Sequence, residues 1–199
     1  VEFAKEHQAK IYVTVNMMPR EEDLQEVIEY LNELKRVGVA GIIVSSLYLI
    51  KLAHQFVPDL PLHLSTQQNT LNSESIKYWK NLGVQRIVLG RELSLSEIER
   101  IKHVSALELE VFIHGGMCSN YSGRCLLSNV LTDRDANRGG CAQCCRWNYY
   151  LSDGEKQLND ETSFFTMSSK DLETLKYLDC LLALGISSLK IEGRMKSGY

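Results

Sequence analysis

The cysteines are the residues whose spacing points most directly to chemistry. Five of the six fall within 28 residues, and the spacing of all six is Cys118-x6-Cys125-x15-Cys141-x2-Cys144-Cys145-x34-Cys180. Thiolates are soft ligands that suit zinc or iron–sulfur clusters. A zinc ribbon has two CxxC knuckles, and because the first pair here is too widely spaced for a knuckle, an iron–sulfur cluster competes with zinc. The remaining alternative is a set of buried, inert cysteines in a loop-rich segment.

Polar side chains that follow apolar, β-branched runs form a second group of candidates. His114 ends one such run and suits a general acid–base, although a structural histidine explains it equally well. Arg91 with Glu92 suits bidentate binding of a small dianion, and so does Glu192 with Arg194, but an ion-pair ring is the alternative for both. The residues predicted as catalytic are His114, Glu92 and Glu192, and those predicted to bind substrate are Arg91, Arg194 and Gln67.

Arginine and aromatic residues are interleaved within and after the cysteine-rich stretch. They are Arg124, Arg134, Arg138, Arg146, Tyr121, Trp147, Tyr149 and Tyr150. Arginines beside stacking aromatics are typical of proteins that bind single-stranded RNA. A solvated loop with local salt bridges over an aromatic core is the alternative, and residue types alone favour it.

Overall composition argues against several classes of protein. The 199 residues carry a formal net charge of −3 with a pI near 6.0, which disfavours nucleic-acid binding through general positive charge but permits a local basic patch. No apolar run approaches the roughly 18 residues needed to span a bilayer. The GxSxG and HExxH motifs of common serine and zinc proteases are absent from the sequence.

Short β-branched runs alternate with helical patterns along the chain. The predicted strands are residues 10–16, 41–46, 62–67, 86–92, 109–115 and 188–194. The predicted helices are residues 21–36, 73–82, 170–184 and a segment that begins after Ser94, which is the expected N-cap with Glu97 completing a capping box. The similar segments VGVAGIIVS, LGVQRIVLG and LGISSLKIE each predict a helix that ends at a C′ glycine, then a turn and a buried strand.

This alternation predicts βα units of a parallel sheet, either open and doubly wound or closed into a (β/α)8 barrel. The GxGxxG motif of a doubly wound nucleotide-binding sheet is absent. Polar residues end many of the predicted strands, as the catalytic face of a barrel requires. We therefore predict an α/β fold, a partial (β/α)8 TIM-like barrel with about six of the eight strands.

The predicted domain organisation is a single catalytic-type barrel domain over residues 1–199. We expect it to be a fragment of a longer chain, in which the first barrel strands precede Val1 and any C-terminal domain follows Tyr199. A cysteine-rich insertion at about 116–150 is expected between the last two strands, because these are separated by far more residues than the earlier ones.

Several blocks of this sequence resemble a known family. LEVFIHGGMCSNYSGRCLLSN, NRGGCAQCCRW and SLKIEGRMKS are similar to signature blocks of the collagenase-like peptidase family U32, and LHLSTQQN and RIVLGREL fit its upstream barrel segments. The resemblance covers essentially the whole chain and is strongest to the branch of tRNA hydroxylation proteins. It implies a (β/α)8 barrel and an oxygen-independent hydroxylase that converts the wobble uridine of tRNA to 5-hydroxyuridine, with prephenate as the hydroxyl donor.

The resemblance also implies a 4Fe–4S cluster, for which zinc is the alternative. The family pattern C-x6-C-x15-C-x3-C falls on Cys118, Cys125, Cys141 and Cys145. Cys144 and Cys180 are the alternative fourth ligands. The expected partners are tRNA, a small dicarboxylate and a second copy or paralogue, with no membrane and a cytoplasmic location. Two other functions stay open: a U32-type collagenase-like peptidase, and a non-catalytic, metal-stabilised RNA-binding module.

Overall fold

Six parallel strands form the centre of the fold. The computed structural model describes residues 1–160, 162, 164 and 166–193. The parallel strands are β1 Tyr12–Val15, β2 Gly41–Val44, β3 Leu62–Leu64, β4 Arg86–Val88, β5 Glu108–Gly115 and β7 Ser188–Glu192, and β6, Leu172–Glu173, adds a short antiparallel pair at the end of β5. The parallel strands are neighbours in the order β1-β2-β3-β4-β5-β7 and curl into a half-barrel. This confirms the predicted α/β, TIM-like architecture.

Helices α1 Glu2–Glu6 and α6 Leu127–Thr132 contribute no residue to the buried core. The other helices pack on the outer face of the sheet; they are α2 Val27–Val37, α3 Leu47–Phe56, α4 Ser73–Asn81, α5 Leu95–Val104 and α7 Leu178–Ala183. Alternate strand residues face them, since side chains point to opposite sides of a strand at every second position. Val44 of β2 pairs with Leu64 of β3, and both are fully buried in the same core as Leu31 of α2.

The opposite face of the sheet carries a network of compensating charges. Arg86 forms ion pairs with Glu108 at 2.6 Å and with Glu110 at 3.5 Å, and Lys190 contacts Glu110 at 2.9 Å. His63 is buried beside this network, and burial, reinforced by the charge of Arg86, lowers the pKa of its ring to about 4. His63 is therefore neutral near pH 7.

The predicted helix ends are confirmed where local sequence controls them. Gly38, Gly83 and Gly185 each follow a helix with a positive φ, of 73°, 77° and 68°. That left-handed conformation is the one for which a C′ glycine is favoured. At the start of α5, Ser94 Oγ accepts a hydrogen bond from the Glu97 N–H at 3.4 Å, while the Glu97 carboxylate accepts from the Ser94 N–H at 2.8 Å. This is the predicted capping box.

Two predicted helices are wrong over part of their length. Residues 21–36 begin with a 3-10 turn, Glu21–Asp23, and α2 starts only at Val27. Asp23 accepts a hydrogen bond from the Arg20 N–H at 2.6 Å and forms an ion pair with Arg138, which lies 115 residues away. These contacts hold Asp23 in a capping turn, so a tertiary interaction shortens the helix.

The segment 170–184 is divided in a similar way. Leu172–Glu173 pair with β5 as strand β6, Leu175–Tyr177 form a 3-10 turn, and only Leu178–Ala183 are α-helical. The pairing with β5 is a non-local contact that helical periodicity cannot reveal. Helix α3 was not predicted at all. Its sequence, LYLIKLAHQF, is apolar on most sides, so the hydrophobic periodicity of a helix is not visible in it.

A long segment, with only one short strand among its described residues, joins β5 to β7. It contains α6, β6, α7 and all six cysteines. That residues 116–150 are an insertion within a barrel stays a prediction. Within the described ranges, no helix has both the length and the apolar character that spanning a bilayer requires.

Candidate active site

The carboxyl ends of the strands are linked by polar contacts. Asn16, after β1, donates its side-chain N–H to Ser65 Oγ at 3.2 Å, and Ser45 Oγ donates to the Asn16 carbonyl at 2.7 Å. Gln68 donates to the Ser45 carbonyl at 2.5 Å. Because all six strands run in the same direction, these residues form one rim, which is the place where a barrel carries its catalytic groups.

Arg91 is the central side chain of this rim. Its guanidinium forms an ion pair with Glu192 at the end of β7, donates a hydrogen bond to Ser122 Oγ at 3.3 Å and lies 3.7 Å from the centre of the Phe112 ring. The Arg91 side chain is only 7 % exposed. Burial lowers its pKa, opposed by the charges of Cys118 and Glu92, yet an arginine stays protonated in proteins. The fold thus brings two of the predicted residues, Arg91 and Glu192, into direct contact.

A cavity of about 240 Å³ opens beside Arg91. Its lining is Arg91, Glu92, Met117, Cys118, Ser119, Asn120, Tyr121 and Ser122. It therefore combines a buried cation, a carboxylate and one of the predicted cluster cysteines. A pocket with a few convergent polar groups and charges is the usual form of a small-molecule site.

The other predicted residues lie outside this cavity. His114 is exposed on β5, where it pairs with both β6 and β7. Gln67 packs under the 119–124 loop, and its side-chain oxygen is buried with no hydrogen-bond partner among the described residues. Arg194 falls outside the described residues.

Arg146 also lies at the rim, although the sequence did not predict it there. A Cβ at Gly116 would lie 2.8 Å from Arg146 Nη2 and 3.8 Å from Glu192 Oε1, so the guanidinium and the carboxylate both lie beside the Gly116 backbone. Arg146 also forms an ion pair with Asp171 at 3.1 Å. No local pattern marks this position, since Arg146 reaches the rim from the far end of the cysteine-rich stretch.

The cysteines divide into two groups in the structure. All six are free thiols. Cys118 is exposed as a residue, yet the surrounding protein desolvates its thiol and raises its pKa, an effect that the Arg91 charge opposes. Three other thiols interact electrostatically with Cys118 and raise the same pKa: Cys141, Cys145 and Cys125. The other three cysteines of the family pattern therefore lie within electrostatic range of Cys118.

The remaining two cysteines differ from each other in burial. Cys144 is 1 % exposed, and its sulfur lies 3.9 Å from Ser128 Oγ in the interior of the segment. Cys180 is exposed on α7. Of the adjacent pair, Cys144 points into the protein, so the geometry favours Cys145 as the fourth ligand.

The arrangement of the thiols bears on the choice between zinc and an iron–sulfur cluster. Among the described residues, no three His, Cys, Asp or Glu side chains converge closely enough to hold one metal ion. In a 4Fe–4S cluster each of four thiolates binds a different iron, so the ligands surround a larger group. Cys118, which lines a cavity beside a buried arginine, and the three thiols within electrostatic range of it are the residues that would hold such a cluster.

The cysteine-rich segment is fastened to the loop after β1. Arg138 contacts both oxygens of Asp23, at 2.6 and 3.0 Å, and also donates to the Met18 carbonyl at 2.6 Å. Arg20 and Asp135 form a second ion pair at 2.8 Å. These contacts hold the segment across the strand ends.

The Asp23–Arg138 contact predicts a pH dependence of stability. Hydrogen bonds from Arg138 and from the Arg20 N–H lower the pKa of Asp23 from 3.8 to about 2. The contact therefore stabilises the fold above about pH 4, and the effect is lost as the pH falls towards 2. We expect Asp23→Asn to lower the free energy of unfolding at neutral pH, with the difference from wild type shrinking below pH 4. Urea denaturation at several pH values measures it.

The matched control is Asp59→Asn, which removes an exposed carboxylate whose only ion pair with a described residue is with Lys35 at 3.1 Å. It is expected to change stability little at any pH, since exposed ion pairs contribute little. If Asp23→Asn lowered the free energy of unfolding by the same amount at pH 3 and at pH 7, this account would be contradicted.

Gly123 provides a second test of the packing around the cavity. Its φ is +74°, and a Cβ there would lie 2.8 Å from the Gln67 carbonyl oxygen. Gly123→Ala is expected to lower the free energy of unfolding by more than the roughly 1–2 kcal/mol of left-handed strain alone. Gly139→Ala is the control, because Gly139 has a φ of +86° but a Cβ there would meet nothing within 4 Å. If both variants lost the same free energy of unfolding, the 119–124 loop would not pack tightly against Gln67.

Comparison with known proteins identifies relatives of the entire chain. The model of peptidase family U32 matches residues 1–199. tRNA hydroxylation protein P1 of Bacillus subtilis (strain 168) is 46% identical over 99% of this chain and 48% of its own length, and tRNA hydroxylation protein P of Escherichia coli (strain K12) is 34% identical over 96% and 52%. The chain thus spans about half the length of these relatives.

The fold also matches a solved structure. The U32 peptidase Mk0906 superposes with a TM-score of 0.60 over 96% of this chain and 72% of that protein, at 15% sequence identity. At that identity the likeness concerns the fold, and it agrees with the curled parallel sheet described above.

Proposed function

This chain belongs to peptidase family U32, and we propose that its function is the hydroxylation of tRNA. The observation that supports the proposal most is the cavity itself, in which the candidate ligand Cys118 lies beside the buried Arg91. The same chain is 46% identical to a tRNA hydroxylation protein. A peptidase would need neither the four thiols of the family pattern nor a buried cation at this position.

The detailed reaction that we propose is oxygen-independent conversion of the wobble uridine to 5-hydroxyuridine, with prephenate as the donor. Cys118, Cys125, Cys141 and Cys145 would hold a 4Fe–4S cluster. When bound, the cluster would supply electron transfer or polarise the hydroxyl donor. The free thiols and the inward orientation of Cys144 support this ligand set over one that includes Cys144.

The protein's own residues would bind and orient the donor. Arg91 presents a planar fork of donors suited to a carboxylate, and Glu192 holds that fork in position. Glu92 lines the same cavity and would move a proton there. His114 is exposed away from the cavity, so its catalytic role stays a prediction. A tRNA substrate further implies a cytoplasmic location, and association with a second copy or a paralogue is part of the same proposal.

Nucleoside mass spectrometry of tRNA tests the function. Deletion of the gene, in a strain without a redundant pathway, is expected to abolish 5-hydroxyuridine and its derivatives, and the intact gene is expected to restore them. Complementation with a Cys125→Ser variant is expected to fail. An unchanged nucleoside profile in the deletion strain would contradict the proposal.

A collagenase-like peptidase is the second candidate, favoured by the family description and the structural neighbour. In the described part of the chain, no histidine side chain hydrogen-bonds to a hydroxyl or thiol, which is the pair that serine and cysteine peptidases use. Gelatin cleavage by the pure protein, abolished by one substitution, would favour this candidate. A non-catalytic module would instead bind tRNA and leave its nucleosides unchanged.

A further inference from the structure

A tight turn at the edge of the cavity presents one aromatic and one cationic side chain to solvent. Residues 121–124 form the turn, closed by a hydrogen bond from the Arg124 N–H to the Tyr121 carbonyl at 3.1 Å. Gly123 occupies its third position with φ +74°, as a type II turn requires. The first and fourth residues of a β-turn lie within about 7 Å between their Cα atoms, so Tyr121 and Arg124 stand side by side.

The two central residues of the turn anchor it to the barrel. Ser122 is 9% exposed and accepts a hydrogen bond from Arg91, and Gly123 packs against the Gln67 backbone. The turn is therefore held without help from Tyr121 or Arg124. Those two side chains are therefore available to contact a ligand.

Tyr121 and Arg124 are unusually available for contact. Tyr121 is 54% exposed although it lines the cavity that contains Arg91 and Cys118. Arg124 is exposed and forms no ion pair with any of the described residues. Two other arginines of this stretch, Arg138 and Arg146, are instead engaged with Asp23 and Asp171, and Arg134 is exposed but lies outside the turn.

We infer that Tyr121 and Arg124 form an RNA-binding edge of the cavity, in which the Tyr121 ring stacks on an unpaired base and the Arg124 guanidinium binds a neighbouring phosphate. An exposed aromatic ring is a stacking surface for any base, and an unpaired arginine beside it supplies the charge that a phosphate needs. The cavity of about 240 Å³ is below the usual range for drug-sized ligands. It accommodates a small co-substrate, and the base is placed at its edge. The inference rests on the proposed function, and it assigns the contact with the target nucleotide.

Equilibrium binding tests this edge. The probe is a fluorescein-labelled tRNA anticodon stem–loop, titrated by anisotropy with the full-length protein under anaerobic conditions. Tyr121→Leu is expected to weaken binding about tenfold to a hundredfold, as loss of one base stack does, whereas Tyr121→Phe keeps the ring and the affinity. Tyr30→Leu is the control, because Tyr30 is 45% exposed on α2, among the outer helices.

Arg124→Gln tests the phosphate contact separately. It is expected to weaken binding and to reduce the slope of log affinity against log salt by roughly 0.7, the change for one phosphate contact on a single strand. Iron content and melting temperature are expected to match those of wild type in all four variants. An Arg124→Gln protein with the wild-type salt slope would show that no phosphate binds there.

Photocrosslinking uses only the wild-type protein, so its result does not depend on whether a variant folds. A stem–loop with 4-thiouridine at the wobble position is expected to crosslink to a peptide that contains Tyr121. Crosslinks that map elsewhere, or wild-type affinity in Tyr121→Leu, would overturn the inference. If the deletion strain loses its hydroxylated uridines while Tyr121→Leu restores them fully, the proposed function stands and only the assignment of this edge is wrong.

Discussion

Replacement of Cys118, Cys125, Cys141 or Cys145 by serine is expected to remove most of the iron and acid-labile sulfide from the anaerobically purified, full-length protein. A hydroxyl is a harder and weaker ligand than a thiolate, so loss of one of four ligands exposes the cluster to solvent and oxidation. Hydroxylation of tRNA is expected to fall to background in the same variants. Iron and sulfide analysis with visible absorption spectra measures the first effect, and nucleoside analysis the second.

The chain offers two matched controls for this experiment. Cys180→Ser changes an exposed cysteine on α7 and is expected to leave iron content and activity at wild-type levels. Cys144→Ala removes a sulfur that is 1% exposed, so it is expected to lower the melting temperature while the purified protein keeps its iron. If Cys144→Ala lost its iron and Cys145→Ser kept it, the fourth ligand would be Cys144 and not Cys145. Stoichiometric zinc without sulfide in the wild-type protein would contradict the cluster altogether.

Arg91→Gln is expected to raise the KM for the carboxylate donor roughly tenfold to a hundredfold. A hydrogen bond to a charged group contributes about 1.5–3 kcal/mol, and the side chain is buried enough for that interaction to be poorly screened by solvent. Arg91→Lys is expected to recover little of the loss, because a lysine lacks the planar fork that binds a carboxylate at two points. Steady-state kinetics with varied donor measure the effect.

A double-mutant cycle separates donor binding from an ion pair that only supports the fold. Glu192→Gln leaves Arg91 buried without its partner, and Arg91→Gln leaves Glu192 without its cation, so each single variant is expected to lose stability. The double variant is expected to regain stability, because neither charge then lacks its partner. If the double variant also regained hydroxylation activity, Arg91 and Glu192 would form only a structural ion pair. The proposal that Arg91 binds the donor would then be wrong.

The architecture was readable from the sequence because its signals are local. A β-branched run predicts a strand, a glycine after a helix predicts a left-handed C′ position, and Ser94 with Glu97 predicts a capping box. Each depends on residues a few positions apart, and each is present in the structure. The predictions that were wrong, at residues 21–36 and 170–184, involve Asp23 and β6, whose partners lie far away in the chain.

The sequence by itself determined the parallel βα order, the helix ends and the spacing of the cysteines. Only the tertiary structure decided how those residues meet. It pairs Arg91 with Glu192 across 101 residues, turns Cys144 inward beside Cys145, and leaves His114 outside the cavity. The reason is physical: backbone propensity and capping act within a few residues, whereas ion pairs, burial and cavity shape depend on how distant segments pack.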